Sequence, residues 1–476
     1  MLDLDPTTVR SIDAAEEVRR ALLKRVRTAL QAREDGSWIA RPTVPVPGPV
    51  RPIDWMRAQD CSEATYWSGR TDDRTVAAIG AADVLASSSA PVDYDALHDR
   101  LTERLGSADS AIRYYGGLRF DAAQPPAPDR PDRRWAPFGT YRFVLPRFEL
   151  LETEGERRLA CNLVLPRDAH HPEAVVGDIE TLAFPAPTGP APLPRPYHRQ
   201  DAPEQEEWTR IVRWALDAIS GEALDKVVLA RRVALALDDP MDPLLVLRHL
   251  EAATPGCYHF ATRPAEGPVF MGASPERLFR REGEDVVSEA VAGTRPRGET
   301  AAEDRALREE LLTSPKERRE HAFVQDAIQA DLEGVCTSVQ APEEPDDLAL
   351  ARGRHLYSRI DGTLREDTST ADLLKVLHPT PAVGGVPTED AVAAIRAQEP
   401  FDRGWYAGPV GWIGAEAAEF AVGLRAGLAW TNRVALFSGA GIVDGSEPRR
   451  EWDEIEQKIG DFAAIMGVTG SQRQAG

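Results

Sequence analysis

The sequence predicts an α+β fold, made mainly of antiparallel sheet with helices packed against it. Two observations support this class: strand and helix patterns do not alternate regularly, and candidate strands occur as neighbouring pairs, such as Cys257–Phe270 with Val286–Val291. The 476 residues suffice for a large core, either in about three domains or in one large fold. A balance of 42% hydrophobic and 28% charged residues excludes a collagen-like or a wholly disordered chain.

The first half contains one clear helix and two Pro-rich segments. Residues Ala14–Arg33 are predicted to form an amphipathic helix, because apolar residues recur on one side. Gln124–Pro137 and Pro185–Pro196 are too rich in proline for a helix or a central strand and are predicted to be loops. The second loop marks a boundary between an N-terminal subdomain, residues 1–196, and a C-terminal domain, residues 197–470.

The second half has the clearer patterns. A Val- and Leu-rich stretch predicts a strand at Lys226–Leu237. Ser314 and Glu317 have the spacing of a capping box, which begins a helix running to about Leu332. Residues 439–441, Gly-Ala-Gly, are predicted to form a turn between two short strands. The remaining predicted elements are those strands, Val434–Phe437 and Ile442–Val443, and helices at Ala202–Ile219, Ala371–Leu377, Thr388–Ala397 and about Pro448–Met466.

The charge of the chain limits its partners. A net charge of −21 argues against binding to nucleic acid or to an anionic membrane, and an anionic ligand would need local cations or a metal. No stretch of about 18 apolar residues and no signal-peptide pattern occur, so no transmembrane helix is expected. Four separate cysteines without a CxxC pair fit a reducing cytoplasm. Because no heptad pattern indicates assembly, a monomer is expected.

Two clusters around the predicted strands could carry chemistry. Lys226 begins a strand and shares a face with Val228, but taken alone it suits an edge position with its ammonium in water. Glu276 follows a Ser-Pro pair and taken alone would be a charge at a helix start. Gly293 could be an ordinary turn residue. Each position therefore has a structural explanation as well as a functional one.

Two further clusters place carboxylates on helices. Glu320 precedes His321 on the capped helix, a pattern usual for a solvated face beside a core histidine. Glu451, Glu454 and Lys458 share one face of the last helix, where Glu454 and Lys458 have the spacing of a surface ion pair. The glycine-rich turn predicted just before that helix could hold an anion through its backbone N–H groups.

Taken together, the motifs resemble those of the chorismate-utilising enzymes and, among them, the isochorismate synthases. They follow the family's order over about residues 203–466, and YWSGR (66–70), YYGGLRFD (114–121) and LPRFELLE (145–152) match more loosely in the first half. The resemblance implies a large chorismate-binding unit of mostly antiparallel sheet flanked by helices, in agreement with the α+β class. The motifs are LDKVVLAR (224–231), GASPERLF (272–279), AGTRPRG (292–298), EHAFVQDAI (320–328), LYSRIDGTL (356–364), LHPTPAVGG (377–385), EPFDRGWYAGPVGW (399–412) and FSGAGIVDGSEPRREWDEI (437–455).

The resemblance also implies a role for each matching residue. Lys226 would be the general base that activates water, and Glu276 the general acid that protonates the departing 4-hydroxyl of chorismate. Mg²⁺ would be held by Glu320 and Glu454, with Glu451 as an acidic neighbour. The residues that would bind the substrate are Gly293, Thr294, His355, Ala382, Tyr406, Arg425, Gly439, Ala440, Gly441 and Lys458.

A magnesium ion suits the implied substrate, because chorismate is a dicarboxylate and the chain is strongly acidic. Mg²⁺ held by two carboxylates keeps positions for water and for a substrate carboxylate. The ion also polarises the ring toward loss of its 4-hydroxyl. Addition of water at C2 with loss of hydroxide from C4 needs a base on one side and an acid on the other.

Related activities are the alternatives. Salicylate synthases share the lysine at position 226 but differ around residues 378–382, where LHPTPA is the isochorismate synthase version. Anthranilate synthases typically lack that lysine, and aminodeoxychorismate synthases carry a nucleophilic lysine where this chain has Ala292. Both use ammonia, usually from an amidotransferase subunit, which is not expected here. A paralogue that only binds chorismate is disfavoured by the intact acid, base and metal positions. Isochorismate feeds menaquinone or catechol siderophores, and the sequence does not choose between these pathways.

Overall fold

The computed structural model describes residues 6–31, 39–70, 74–88, 90–106, 109–123, 132–186, 189, 191–265, 267–351 and 353–465. Most of the first predicted proline loop and the predicted helix end at Met466 lie outside these ranges. The helices are α1 (Pro6–Gln31), α2 (Pro52–Arg57), α3 (Tyr94–Leu105), α4 (Arg167–His170), α5 (Pro172–Thr181), α6 (Gln205–Ser220), α7 (Pro243–Ala253), α8 (Ala301–Thr313), α9 (Pro315–Val335), α10 (Thr370–Leu377), α11 (Thr388–Gln398) and α12 (Pro448–Ile465).

The strands range from 2 to 13 residues, and the two longest, β4 and β6, lie in the first half of the chain. They are β1 (Ile39–Ala40), β2 (Thr43–Pro45), β3 (Ala64–Ser68), β4 (Thr75–Ser87), β5 (Tyr114–Leu118), β6 (Tyr141–Thr153), β7 (Glu156–Cys161), β8 (Leu163–Val164), β9 (Pro196–Ala202), β10 (Lys226–Leu237), β11 (Tyr258–Arg263), β12 (Val269–Ser274), β13 (Arg277–Glu282), β14 (Asp285–Pro296), β15 (Cys336–Gln340), β16 (Asp346–Ala349), β17 (Gly353–Leu364), β18 (Gly385–Val386), β19 (Pro409–Ile413), β20 (Ala417–Val422), β21 (Ala426–Trp430) and β22 (Arg433–Ile442).

Antiparallel pairing connects these strands. β1 and β8 form a small separate sheet. In the large sheet, hydrogen-bonded neighbours follow the order β9, β10, β22, β21, β12, β11, β3, β4, β6, β5, β19, β20, β13, β14, β17. Helices pack against this sheet, which confirms the predicted α+β class.

Strands from both halves of the chain share this sheet. β3 pairs with β11, and β5 pairs with β19, so strands of the first half are hydrogen-bonded to strands of the second. The predicted boundary between residues 196 and 197 falls at the first residue of β9, an edge strand that pairs with β10. The division into two domains stays a prediction.

Two helices bring carboxylates to the centre of the sheet. α9 packs on β14 and β17 and buries His321, Val324, Ile328 and Leu332, the stripe expected from its 3.6-residue period. α12 packs on β22 and buries Ile455, Ile459 and Phe462. Lys316 of α9 approaches Glu451 of α12 to 3.4 Å, and Glu320 of α9 accepts from Lys226 at the start of β10, which places the site described below. No helix in the described ranges combines the length and apolar character needed to cross a membrane.

Several helix boundaries differ from the predictions. α1 begins at Pro6 rather than at residue 14, and α6 begins at Gln205 because Ala202 still belongs to β9. Ser314 does cap α9, since its Oγ accepts a hydrogen bond from the Glu317 backbone N–H at 3.4 Å. The Glu317 side chain does not complete a capping box but accepts a hydrogen bond from Arg295 at 2.9 Å.

Three predictions about irregular segments are wrong. Residues 257–270 contain β11 and the start of β12, which pair with each other, whereas β14 pairs with β13 and β17. The end of the first proline loop is a 3₁₀ helix, Arg133–Phe138, capped by Asp132. The segment Gly-Ala-Gly is not a turn, because β22 runs through it without interruption and pairs with β10. Two glycines in three residues are typical of a turn and predicted one, but here both glycines lie within a strand.

Candidate active site

One cavity collects the residues that the motifs single out. Its wall is formed by β10, β14 and β22, by α9 and α12, and by the segments that join them. Ala440 is the exception among the predicted residues: it is buried on the opposite face of β22 from Gly439 and Gly441. The predicted residues that line the cavity are Lys226, Glu276, Gly293, Thr294, Glu320, His355, Ala382, Tyr406, Arg425, Gly439, Gly441, Glu451, Glu454 and Lys458.

Lys226 is an interior lysine and not an edge lysine. It is fully buried at the start of β10, between β18 and β22. Its Nζ donates to Glu320 Oε1 at 3.1 Å. Gly441 provides the room for this pair, because a Cβ at that position would lie 2.6 Å from Glu320 Oε1 and 3.1 Å from Lys226 Cε. The structure therefore excludes an edge position for Lys226, and its catalytic role stays a prediction.

Glu276 is a buried carboxyl between β12 and β13 and not a residue at a helix start. Only 4% of it is exposed. Burial raises the pKa of Glu276 to about 8, an effect that Glu289 reinforces and that Lys226 and Arg70 oppose. Its carbonyl oxygen accepts from the Val422 backbone N–H at 3.1 Å, which ties the loop to β20. Near neutral pH this side chain holds a proton that it can donate.

Three glutamates of the cavity are each paired with a lysine. Besides the Lys226–Glu320 pair, Lys316 Nζ lies 3.4 Å from Glu451 Oε1, and Lys458 Nζ lies 2.7 Å from Glu454 Oε1. Burial raises the pKa of Glu451, and the charges of Glu454 and Glu320 raise it further. The Lys458 ammonium lowers the pKa of Glu454. The carboxylates are thus close enough to repel one another, and added positive charge would relieve that repulsion.

These carboxylates suit a hard divalent cation. In the described part of the chain, no three His, Cys, Asp or Glu side chains form a group that could hold a metal ion, so the predicted trio is not a closed three-residue site. Mg²⁺ does not require one, since it is usually held by one or two carboxylates together with water and substrate oxygens. The repulsion felt by Glu451 and the oxygen-only donors fit such an ion.

A positive region lies at another part of the cavity wall. Arg425 Nη2 lies 3.3 Å from His355 Nε2, and His355 Nδ1 lies 3.0 Å from the Gly293 carbonyl oxygen. Burial, and then the Arg425 charge, lower the pKa of His355 to about 3, so the ring is neutral. The contacts assign its proton to Nδ1, which donates to Gly293, and leave Nε2 to accept from Arg425. Arg425 and Lys458 thereby supply the local cations that an anionic ligand requires in so acidic a chain.

The structure also shows lining residues that the motif analysis did not select. Lys316 belongs to none of the motifs, yet it faces Glu451 across the cavity. Arg403 donates to the Val228 carbonyl oxygen at 2.7 Å and pairs with Glu399, which holds the 399–408 segment against β10. Tyr406 stacks on Phe437 with ring centroids 5.3 Å apart. The available signal for Arg403 was its place beside Gly404 in the 399–412 motif, whereas the sequence around Lys316 offered no such signal.

Comparisons with known proteins agree with this geometry. Residues 25–467 match a sequence family described as "Chorismate binding enzyme". The chain is 33% identical to a chloroplastic isochorismate synthase of Catharanthus roseus, over 90% of this chain and 81% of that protein. It is 33% identical to isochorismate synthase MenF of Bacillus subtilis, over 78% of each chain. The solved structure of MenF, the menaquinone-specific isochorismate synthase from Escherichia coli, superposes with a TM-score of 0.81 at 28% identity and covers 94% of this chain and 99% of that one.

The fold and the cavity thus define a binding unit for a small anionic substrate, and the chain belongs to the chorismate-binding enzymes. The relatives named above are, more narrowly, isochorismate synthases.

Proposed function

We propose that this chain converts chorismate to isochorismate, by adding water at C2 while the ring double bond shifts and the 4-hydroxyl leaves. The observation that carries the proposal is the presence of a buried amine, Lys226, and a buried carboxyl of raised pKa, Glu276, on the wall of one cavity. An amine can act as a general base, and a protonated carboxyl can act as a general acid. The similarity to isochorismate synthases over most of the chain supports the same reaction.

Each group moves one proton in this mechanism. Lys226 Nζ, when neutral, accepts a proton from the water that attacks C2. Glu276 donates its proton to the oxygen that leaves C4, which departs as water. Burial of both groups keeps competing water away from the reacting ring. The atoms balance, since one water is consumed at C2 and one is released from C4.

The proton count has a consequence for the reverse reaction. The forward reaction needs neutral Lys226 and protonated Glu276, whereas the reverse reaction needs protonated Lys226 and ionised Glu276. Both forms hold one proton between the two groups, so kcat/KM should have the same pH profile in the two directions. After each turnover, a proton must return from Lys226 to Glu276 before the enzyme can act again.

We propose that Glu320 and Glu454 hold the Mg²⁺ ion, with Glu451 adding negative charge beside them. When bound, the ion supplies positive charge for a substrate carboxylate and for the electron shift in the ring. Arg425 and Lys458 would hold the other carboxylate and orient the ring toward Lys226. Gly439 and Gly441 add no side chain to the cavity wall at β22, and the space beside Gly441 is taken by Glu320 and Lys226.

The alternatives that use other chemistry find less support. Ala292 lines the cavity wall, so no lysine nucleophile is present at that position. Ala382 lines the same cavity within the LHPTPA segment. We propose accordingly that the chain acts without an amidotransferase subunit, as a monomer in the cytoplasm. Supply of menaquinone or of a catechol siderophore stays an expectation, and the solved relative from Escherichia coli is described as menaquinone-specific.

A product assay tests the proposed function. Purified protein with chorismate, Mg²⁺ and added ammonium salt should form isochorismate, and should form chorismate from isochorismate. The measurement is a chromatographic trace of the products over time, with a chelator-treated sample as the control. A dominant peak of salicylate with pyruvate would assign the chain to the lyase-active relatives. A dominant aminated product would assign it to the ammonia-using relatives and contradict the roles of positions 226 and 292.

Glu320→Gln and Glu454→Gln are each expected to weaken Mg²⁺ binding by roughly tenfold or more, since loss of even an outer-shell partner costs about that much. A carboxamide keeps the shape of the side chain but removes the charge that the ion needs. Calorimetric titration with MgCl₂ measures this without reference to activity. Glu447→Gln, which changes an exposed residue just before α12, is the matched control. Equal Mg²⁺ affinity in all variants would rule out these two ligands.

A further inference from the structure

One side chain from the first half of the chain, Arg70, reaches the segment that carries Glu276. Arg70 follows β3, and its Nη1 donates to the carbonyl oxygen of Pro275, the residue next to Glu276. Its Nη2 donates to Glu289 Oε1 at 2.5 Å. The Arg70 side chain is 6% exposed, and that of Glu289 is fully buried. A charged pair from two distant segments is thus enclosed beside the peptide that carries the acid.

Strand pairing explains how Arg70 comes to this position. Ser68 at the end of β3 pairs with His259 of β11, and His259 pairs with Ala273 of β12. These three residues form a row across the sheet, so the chain after β3 and the chain after β12 leave the sheet at the same end. Arg70 and Pro275 follow those two strand ends directly, and the contact between them is set by the register.

Glu289 is held in turn by a buried network. Its Oε1 also accepts from Arg277 Nη1 at 2.8 Å and from the Tyr357 hydroxyl at 3.3 Å. Arg277 Nε donates to the Tyr258 hydroxyl at 2.8 Å. Glu289 Oε2, by contrast, is buried without a hydrogen-bond partner among the described residues. Replacing Glu289 alone by an apolar residue would leave the buried guanidinium groups of Arg70 and Arg277 without this carboxylate, which is costly. Glu289 therefore holds Arg70 in place.

We infer that Arg70 and Glu289 are positioning residues that hold the loop of the general acid Glu276, so that the first half of the chain completes the active site. Arg70 fixes the Pro275 peptide through its carbonyl, and Glu289 fixes the guanidinium of Arg70. Neither residue contacts the cavity, and both act through Glu276. This inference rests on the proposed function, in which Glu276 is the acid.

The two charges also act on Glu276 in opposite directions. Glu289 raises the pKa of Glu276 and Arg70 lowers it. The charged groups that face Glu276 are Lys226 on β10, Glu289 on β14 and Arg70 after β3. Removing one member of the pair should therefore move the titration of Glu276 in a direction that identifies which member was removed.

The test measures kcat, KM and the pH profile of kcat/KM for Arg70→Met and Glu289→Gln. Arg70→Met should lower kcat by roughly tenfold or more, because a reacting group displaced by about 1 Å can cost up to 10²-fold. The KM for chorismate should change little. The inflection that Glu276 gives to the profile should move to higher pH in Arg70→Met and to lower pH in Glu289→Gln. Arg70→Lys, which keeps the charge, should recover much of the lost kcat.

Arg41→Met is the matched control. Arg41 Nη2 lies 3.0 Å from Glu149 Oε2 in another buried pair of the first half, away from the cavity. This variant should lose stability but keep the wild-type kcat and inflection.

The remaining outcomes each decide the inference. An unchanged kcat and inflection in Arg70→Met, or a loss of kcat with an unmoved inflection, would overturn it. If Arg70→Met fails to fold, two other measurements decide the inference. One is whether the inflection of Glu276 moves to lower pH in Glu289→Gln, and the other is the pH profile of kcat/KM in Arg70→Lys. If the wild-type protein forms no isochorismate, the proposed function itself fails.

Discussion

Lys226→Gln is expected to lower isochorismate formation by about 10²–10⁴-fold, the usual cost of losing a positioned base. Lys226 is fully buried, and its Nζ faces the cavity beside Glu320. A carboxamide has nearly the same reach but cannot accept the proton of the attacking water. The rate is measured at saturating chorismate and Mg²⁺, so that a change in binding of either does not hide the change in kcat.

Two further variants separate the possible roles of Lys226. Lys226→Arg keeps a positive charge next to Glu320 but cannot lose a proton, so it should be as inactive as Lys226→Gln if the residue is a base. If Lys226 only neutralises Glu320, the arginine variant should retain most of the activity, and the base assignment would be wrong. Lys375→Gln changes an exposed lysine of α10 and should behave as wild type. A circular dichroism melt of each variant shows whether it is folded.

The local sequence pattern was sufficient to predict two elements of the cavity wall, β10 and α9. β10 begins and ends at the predicted residues, because a Val- and Leu-rich stretch suits an interior strand. The buried stripe of α9 was likewise predictable, because its apolar residues recur with helical spacing. The predicted glycine turn failed for a tertiary reason: Gly441 is glycine because Glu320 occupies the space of its side chain. A pattern along the chain cannot show a contact with a residue 121 positions away.

The same limit applies to the candidate site. Motifs located most of the residues that line the cavity, although the motif at residues 356–364 runs along β17 and does not line it. Long-range strand pairing decided the rest. Arg70 reaches Pro275 because β3 pairs with β11 and β11 with β12, a register that no local pattern specifies. Lys316 of α9 lies 3.4 Å from Glu451 of α12 although the two helices pack on different strands, so this pair depends on the fold of the whole sheet. The charges around the acid and the metal region were therefore visible only in the fold.

Glu276→Gln is expected to depress the forward and reverse reactions by the same factor, about 10²–10⁴. The equality follows because the ratio of kcat/KM in the two directions equals the equilibrium constant, which no variant can change. Glu276 donates a proton at C4 in one direction and accepts one there in the other. Initial rates measured with chorismate and with isochorismate as the substrate give the forward and the reverse reaction. A loss of activity well below tenfold would contradict the assignment of Glu276 as the acid.

The same substitution is expected to stabilise the protein as the pH rises. Glu276 titrates near pH 8 in the folded protein and near its ordinary value of 4.5 in the unfolded chain. Its contribution to stability is therefore complete below about pH 4.5 and is lost as the pH rises to about 8, at a cost on the order of a few kcal/mol. Glutamine does not titrate, so the Tm of Glu276→Gln should exceed that of wild type by a margin that grows from pH 4.5 to 8 and then levels off. Other titrating groups are common to both proteins and cancel in the difference. A Tm difference that is independent of pH would show that the carboxyl is ionised when folded, and it could not then be the proton donor.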